Sequence, residues 1–96
     1  MEKSMRLILR FSIPVQKGND AASDGTLASA LKSLVEKVKP EAAYFHLDNG
    51  ERAGTIIFEA TDQIQMAEIN EPLFTQLNAK IDIQPAISLN ELLEKF

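Results

Sequence analysis

Arg6, Arg10, Tyr44, His46, Glu59, Asp82 and Gln84 are the residues of this chain whose types and spacing could support chemistry. Each lies on a short run in which apolar and other residues alternate, at a position facing away from the apolar ones. If the runs are strands of one sheet, all seven share a face, which is then either wet or the wall of a lined cavity. Arg10 can hold a carboxylate or enolate oxygen through paired N–H donors, with Glu59 tuning it. The structural alternative is a cross-strand ion pair of Arg10 with Glu59 or Asp82. Histidine is the side-chain type that changes charge near neutrality, and His46 is the only one present. Two positions from Tyr44 and on the same side, it is a candidate general base, as is Glu59. The alternative is an interface histidine packed against Arg or a carboxylate.

Other chemistries find less support. One histidine with Glu59 or Asp82 falls short of the usual ligand sets, so no metal is expected. The chain has no cysteine, which excludes disulfides, thiolate metal sites and thiol catalysis. Gly18 and Gly25 belong to neither GxGxxG nor GxxxxGK[ST], and no cofactor is expected. Ser12, Ser23, Ser29, Ser33 and Ser88 lack a nucleophile elbow. The net charge of −4 argues against nucleic acid as a partner, because phosphate binding needs clustered Lys and Arg. No run approaches the length of a membrane span, and the N-terminus lacks a signal core, so a soluble, cytoplasmic protein is expected. At 45% hydrophobic and 25% charged, the 96 residues suit one folded domain over 1–96.

The elements that must position these residues follow from periodicity and turn chemistry. Arg6 to Ile13 alternates, with Leu7, Leu9, Phe11 and Ile13 inward, and Pro14 closes it. Residues 15–25, rich in Gly, Asn, Asp and Ser, read as a loop able to cover one end of the sheet. Ser23 or Asp24 caps a helix over Thr26–Val38 that buries Leu27, Leu31, Leu34, Val35 and Val38. Ala42–Leu47 is a strand with Ala43, Phe45 and Leu47 opposite Tyr44 and His46. Asp48-Asn49-Gly50-Glu51 is a hairpin turn. Residues 52–60 form the next strand, with Ile56, Phe58 and Ala60 inward; a slip of one residue would exchange Glu59 with Phe58. Thr61 or Asp62 caps a helix carrying Ile64, Ala67 and Ile69. Pro72 is expected to break it, with a second piece burying Phe74 and Leu77. Lys80–Gln84 is the fourth strand, Ile81 and Ile83 inward, ended by Pro85. Ser88-Leu89-Asn90-Glu91 is a capping box opening a final helix that buries Leu89, Leu92 and Leu93.

Strand, helix, strand, strand, helix, strand and a short helix is the ferredoxin-like βαββαβ order, an α+β fold with a four-stranded antiparallel sheet and helices on one face. The first and third strands should be central. The helix-free face would carry Ile8 and Ile57 at its centre with Tyr44 beside them, and two copies stacked sheet to sheet would cover them. Element order, the Ile83-Gln84-Pro85-Ala86 strand exit and the Ser88-Leu89-Asn90-Glu91-Leu92 helix resemble the dimeric α+β barrel superfamily. That superfamily includes muconolactone isomerases and antibiotic-biosynthesis monooxygenases. The Glu71-Pro72-Leu73-Phe74 and Leu77-Asn78-Ala79 segments resemble uncharacterised small families within it. The resemblance implies a homodimer and carries no catalytic motif. The expected function is binding of a small polar or anionic molecule in a cavity beside the sheet, lined by Arg10, Tyr44, His46, Glu59, Asp82 and Gln84. Its alternatives are a cofactor-free isomerase or monooxygenase, and a structural dimer without ligand.

Overall fold

Alternation builds the central strand. In the computed structural model, which describes residues 4–96, β1 (Met5–Ile13) buries Leu7, Leu9, Phe11 and Ile13 and turns Arg6, Ile8, Arg10 and Ser12 to the other side. β2 (Ala42–Asp48) and β3 (Glu51–Ala60) form a hairpin in which Asn49 (φ 52°) and Gly50 (φ 79°) both take the positive φ that such a turn demands. With β4 (Lys80–Pro85) the sheet is antiparallel throughout, in the order β2-β3-β1-β4. β1 and β3 are central, as the pattern predicts. The register also holds on β3, where Ile56, Phe58 and Ala60 are buried and Glu59 faces out. Three helices cover one face of this ferredoxin-like sheet and close a core centred on Leu9, Ile13, Phe58, Leu73 and Leu77. Each such side chain contributes roughly 1.5–3 kcal/mol by leaving water.

The segment expected to be a loop is a helix. α1 spans Val15–Asp24, its first turn closed by the Gly18 amide on the Pro14 carbonyl at 2.8 Å. Gly, Asn, Asp and Ser lower its intrinsic helix preference, but packing overrides that preference. Ala21 joins the core, and Arg52 Nη1 donates to Asn19 Oδ1 at 3.0 Å. Gly18 has a steric role here: a Cβ at this position would lie 2.7 Å from Arg52 Nη1. Gly25, at φ 87°, separates α1 from α2 (Thr26–Val38). Asp24 Oδ1 accepts the Thr26 amide at 2.8 Å, which holds its carboxyl below the ordinary value, but the N-cap of α2 is Gly25, not the expected Ser23 or Asp24, and carries no side-chain cap bond. α2 buries Ala30, Leu34 and Val38, whereas Val35, expected inside, is exposed.

α3 runs unbroken from Ile64 to Leu77 with Pro72 inside it, contrary to the expected interruption. Pro72 has no N–H for the Glu68 carbonyl. Lys37 Nζ, reaching over from α2, donates to that oxygen at 3.1 Å instead. Continuity sets one buried stripe of Ile69, Leu73 and Leu77, leaving Ile64, Ala67 and Phe74 outside. The Ile64 amide donates to Asp62 Oδ1 at 2.7 Å, but the N-cap position is Gln63, not the expected Thr61 or Asp62, and it makes no side-chain cap bond.

α4 (Leu89–Lys95) begins with the expected capping box. Ser88 Oγ accepts the Glu91 amide at 3.1 Å, and Glu91 Oε1 accepts the Ser88 amide at 2.8 Å. The expected burial of its leucines does not occur: Leu89, Leu92 and Leu93 are 68%, 39% and 58% exposed, and Phe96 94%. On β2 the inward positions Ala43, Phe45 and Leu47 are likewise exposed, because β2 is an edge strand at the margin of the helical layer.

Candidate functional site

The helix-free face is ordered in rows set by the strand register. Tyr44, Thr55, Arg10 and Asp82 lie side by side across the four strands. On one flank is the row His46, Ala53, Ser12 and Lys80; on the other, Ala42, Ile57, Ile8 and Gln84. Glu59 and Arg6 form the next pair beyond the isoleucines. All seven residues singled out by alternation therefore share this face, but they do not form one cluster. The half-buried Ile8 and Ile57 divide it in two.

The half toward the end of β1 is an open depression of about 610 Å³ lined by Arg10, Ser12, His46, Thr55, Lys80 and Asp82, among others. His46 is held there at both ring nitrogens. Nδ1 lies 3.1 Å from the Leu47 carbonyl oxygen and Nε2 2.7 Å from Thr55 Oγ1. A carbonyl oxygen can only accept, so Nδ1 carries the hydrogen. In the neutral ring the Nε2 lone pair then accepts from the Thr55 hydroxyl. Gln84 Nε2 donates to Asp82 Oδ2 at 3.2 Å, two residues along the same strand. Among the described residues, no carboxylate oxygen lies within 4.0 Å of the Arg10 guanidinium, and that group makes no hydrogen bond.

The other half is a second depression, of about 500 Å³, walled by Arg6, Glu59, Pro85, Ile87 and Glu91. Arg6 Nη1 meets Glu91 Oε1 at 2.7 Å and its Nε meets Glu41 Oε1 at 3.2 Å. The bonds from the Ser88 amide and from Arg6 hold the Glu91 carboxyl down at about 2; the two carboxylates raise the guanidinium further above its ordinary value.

Two expected pairings fail on register. Arg10 stands opposite Thr55, and Glu59 stands opposite Arg6, so Glu59 does not tune Arg10. Asp82 is the cross-strand neighbour of Arg10 but makes no ion pair with it. Glu59 lies six residues along β3 from Ala53, the partner of His46, about 20 Å away at strand spacing. The two candidate bases cannot act on one reacting centre. Tyr44 stands exposed on the face, adjacent to Thr55. Thr55, Lys80 and Glu91 were missed as site residues. The alternation places Thr55 and Lys80 on the right face, whereas nothing local in the sequence joins Glu91 to Arg6. Among the described residues, no group of three metal-ligating side chains forms, and no helix is long and apolar enough to cross a membrane.

No protein-family profile and no curated protein matches the chain. Among solved structures, it is similar to the uncharacterized protein TM1266 from Thermotoga maritima. That match has a TM-score of 0.60 at 9% identity and covers 88% of this chain and 100% of the other. It is also similar to the de novo designed protein Ferredog-Diesel, with a TM-score of 0.47 at 12% identity over 88% and 86% of the two chains. At 9% identity the first likeness speaks for the fold alone.

Proposed function

We propose that the chain acts as a homodimer of the dimeric α+β barrel type, two helix-free faces meeting around a bound small molecule that is polar or anionic. The reading is carried by Arg10, a guanidinium that has no acid partner among the described residues, in a depression that also holds Lys80 and His46. An unpaired guanidinium keeps its bidentate donors for an incoming oxyanion. In this reading Arg10 orients a carboxylate or carbonyl group, the Thr55-anchored His46 exchanges a proton with it, and Tyr44 stacks at the rim. Asp82 and Gln84 bound the opposite wall. Ile8 and Ile57 supply the apolar contact between copies.

Light scattering should give a dimer at micromolar concentration. A panel of small carboxylates and 2-oxo acids, screened by native mass spectrometry, should yield binders that Arg10→Ala weakens about tenfold or more, the usual scale for a charged hydrogen bond. A binder held equally well by Arg10→Ala and His46→Ala would place the site elsewhere. A dimer that binds nothing in such a panel favours a structural role.

A further inference from the structure

We infer that Thr55 is the specificity-determining residue of the Arg10 depression: it recognises the oxygen at the 2-position of a small carboxylic acid, and the charge on His46 decides whether it does so as acceptor or as donor. The inference rests on the reading of this depression as an anion site and names its ligand class, 2-hydroxy and 2-oxo acids.

Register puts Thr55 directly opposite Arg10 on the neighbouring strand, and both line the depression. Residues so opposed have their Cβ atoms about 5 Å apart. A carboxylate gripped by the Arg10 guanidinium therefore brings its 2-substituent within reach of the Thr55 hydroxyl. Ala53 and Ser12 form the next pair along the same two strands, and their small side chains leave the space beside Arg10 and Thr55 open.

A hydroxyl has one hydrogen to give and two lone pairs to accept with. His46 occupies one of these, and its charge decides which. Nδ1–H is committed to the Leu47 carbonyl oxygen at 3.1 Å, so the proton gained on charging goes to Nε2, 2.7 Å from Thr55 Oγ1. In the neutral ring, Nε2 takes the Thr55 hydrogen. Thr55 then faces the ligand with lone pairs alone: it accepts from a 2-hydroxyl group and has nothing to give a 2-oxo group. In the charged ring, Nε2–H donates to Thr55 Oγ1 and frees the threonine hydrogen for the ligand. A carbonyl oxygen and a hydroxyl oxygen are then served alike. The neutral site prefers 2-hydroxy over 2-oxo acids, and the preference fades as the imidazole charges. The groups that face the ring are Tyr44 and Asp48 on β2, Glu51 on β3, Arg10 on β1, and Lys80 and Asp82 on β4. Imidazole is the side-chain type that ordinarily changes charge between pH 5 and 8, so the change in preference belongs to that window.

Pyruvate and the two lactate enantiomers are suitable probes, because each keeps one negative charge from about pH 5.5 to 8.5. Calorimetric titration of the full chain with each, across that range, gives the affinity ratio. NMR of the single histidine in the same samples gives the imidazole charge. At the alkaline end one lactate enantiomer should bind about fivefold more tightly than pyruvate, the scale of one hydrogen bond. The ratio should fall toward one in step with imidazole protonation. Thr55→Val should abolish the ratio at every pH, Thr55→Ser should keep it, and Arg10→Ala should weaken both acids together. A ratio that ignores pH, or that survives in Thr55→Val, overturns Thr55 as the selector; if Arg10→Ala still weakens both acids, the anion reading stands. Binding of neither acid, or binding indifferent to Arg10→Ala, overturns both.

Discussion

Lys37 Nζ donates to the Glu68 carbonyl oxygen at 3.1 Å, the acceptor that Pro72 leaves without its helical amide. The bond lets a proline sit inside α3 without breaking it, and it ties α3 to α2. Lys37→Met keeps the aliphatic stem and removes the donor. It should cost about 1 kcal/mol, the net worth of an accessible charged hydrogen bond. Pro72→Ala restores an amide to the same oxygen, so Lys37→Met should cost measurably less in that background. Urea unfolding of the four proteins in a double-mutant cycle reads the coupling. A coupling of zero would detach the lysine from the proline.

The seating of α4 should depend on acid pH. Glu91 is held at about 2 against an ordinary 4.5, so its contribution is complete above about 4.5 and is lost as the pH falls through about 2. Amide exchange at Ser88 and Glu91, followed by NMR between pH 6 and pH 2, should show protection collapsing toward the acid end. Glu91→Gln keeps an acceptor for the capping box and removes the charge, so its exchange profile should be flat across that window. Equal pH dependence in both proteins would show that another carboxyl controls the helix.

Gly54 allows the Phe11 ring to lie against β3. A Cβ there would stand 2.5 Å from Phe11 Cε2 and Cζ and 3.2 Å from the Tyr44 carbonyl oxygen. Gly54→Ala should therefore destabilise by roughly 1–3 kcal/mol through overpacking. Phe11→Leu, which vacates the ring's edge, should recover part of that loss when combined with it. Thermal melts of the single and double variants check both expectations. An unaltered melting point in Gly54→Ala would mean that the ring moves aside freely.

His46 should be the Nδ1–H tautomer when neutral, because the Leu47 carbonyl oxygen accepts from Nδ1 and Thr55 can donate to Nε2. Imidazole nitrogen chemical shifts at alkaline pH measure this directly. Thr55→Val removes the hydroxyl while keeping the shape, and it should shift the population toward the other tautomer. A wild-type ring found protonated on Nε2 would contradict the assignment.

Strand alternation made the sheet legible in advance, from the buried face of β1 to the one face shared by Arg6, Arg10, Tyr44, His46, Glu59, Asp82 and Gln84. It could not make that set a single site. Alternation fixes which side a residue takes, while its position along the strands depends on inter-strand register. Register placed Glu59 opposite Arg6 instead of Arg10. Composition misled at α1, where turn-forming residues are helical because Ala21 packs into the core and Gly18 lies against Arg52. It misled again at Pro72, where the compensating donor comes from Lys37, distant in sequence. At α4 the local signals for the helix were right, but the stripe that implied burial finds no cover within its own subunit.

Arg6 donates to Glu41 and to Glu91, partners 35 and 85 residues away along the chain. The site that receives the C-terminal helix does not exist until β3 has zipped between β1 and β2 and brought Glu41 within reach. Closing so long a loop is entropically costly until earlier contacts have shortened it. The terminal helix should consequently settle last during refolding, in a kinetic phase after the core has formed, which a fluorophore placed near residue 96 would report.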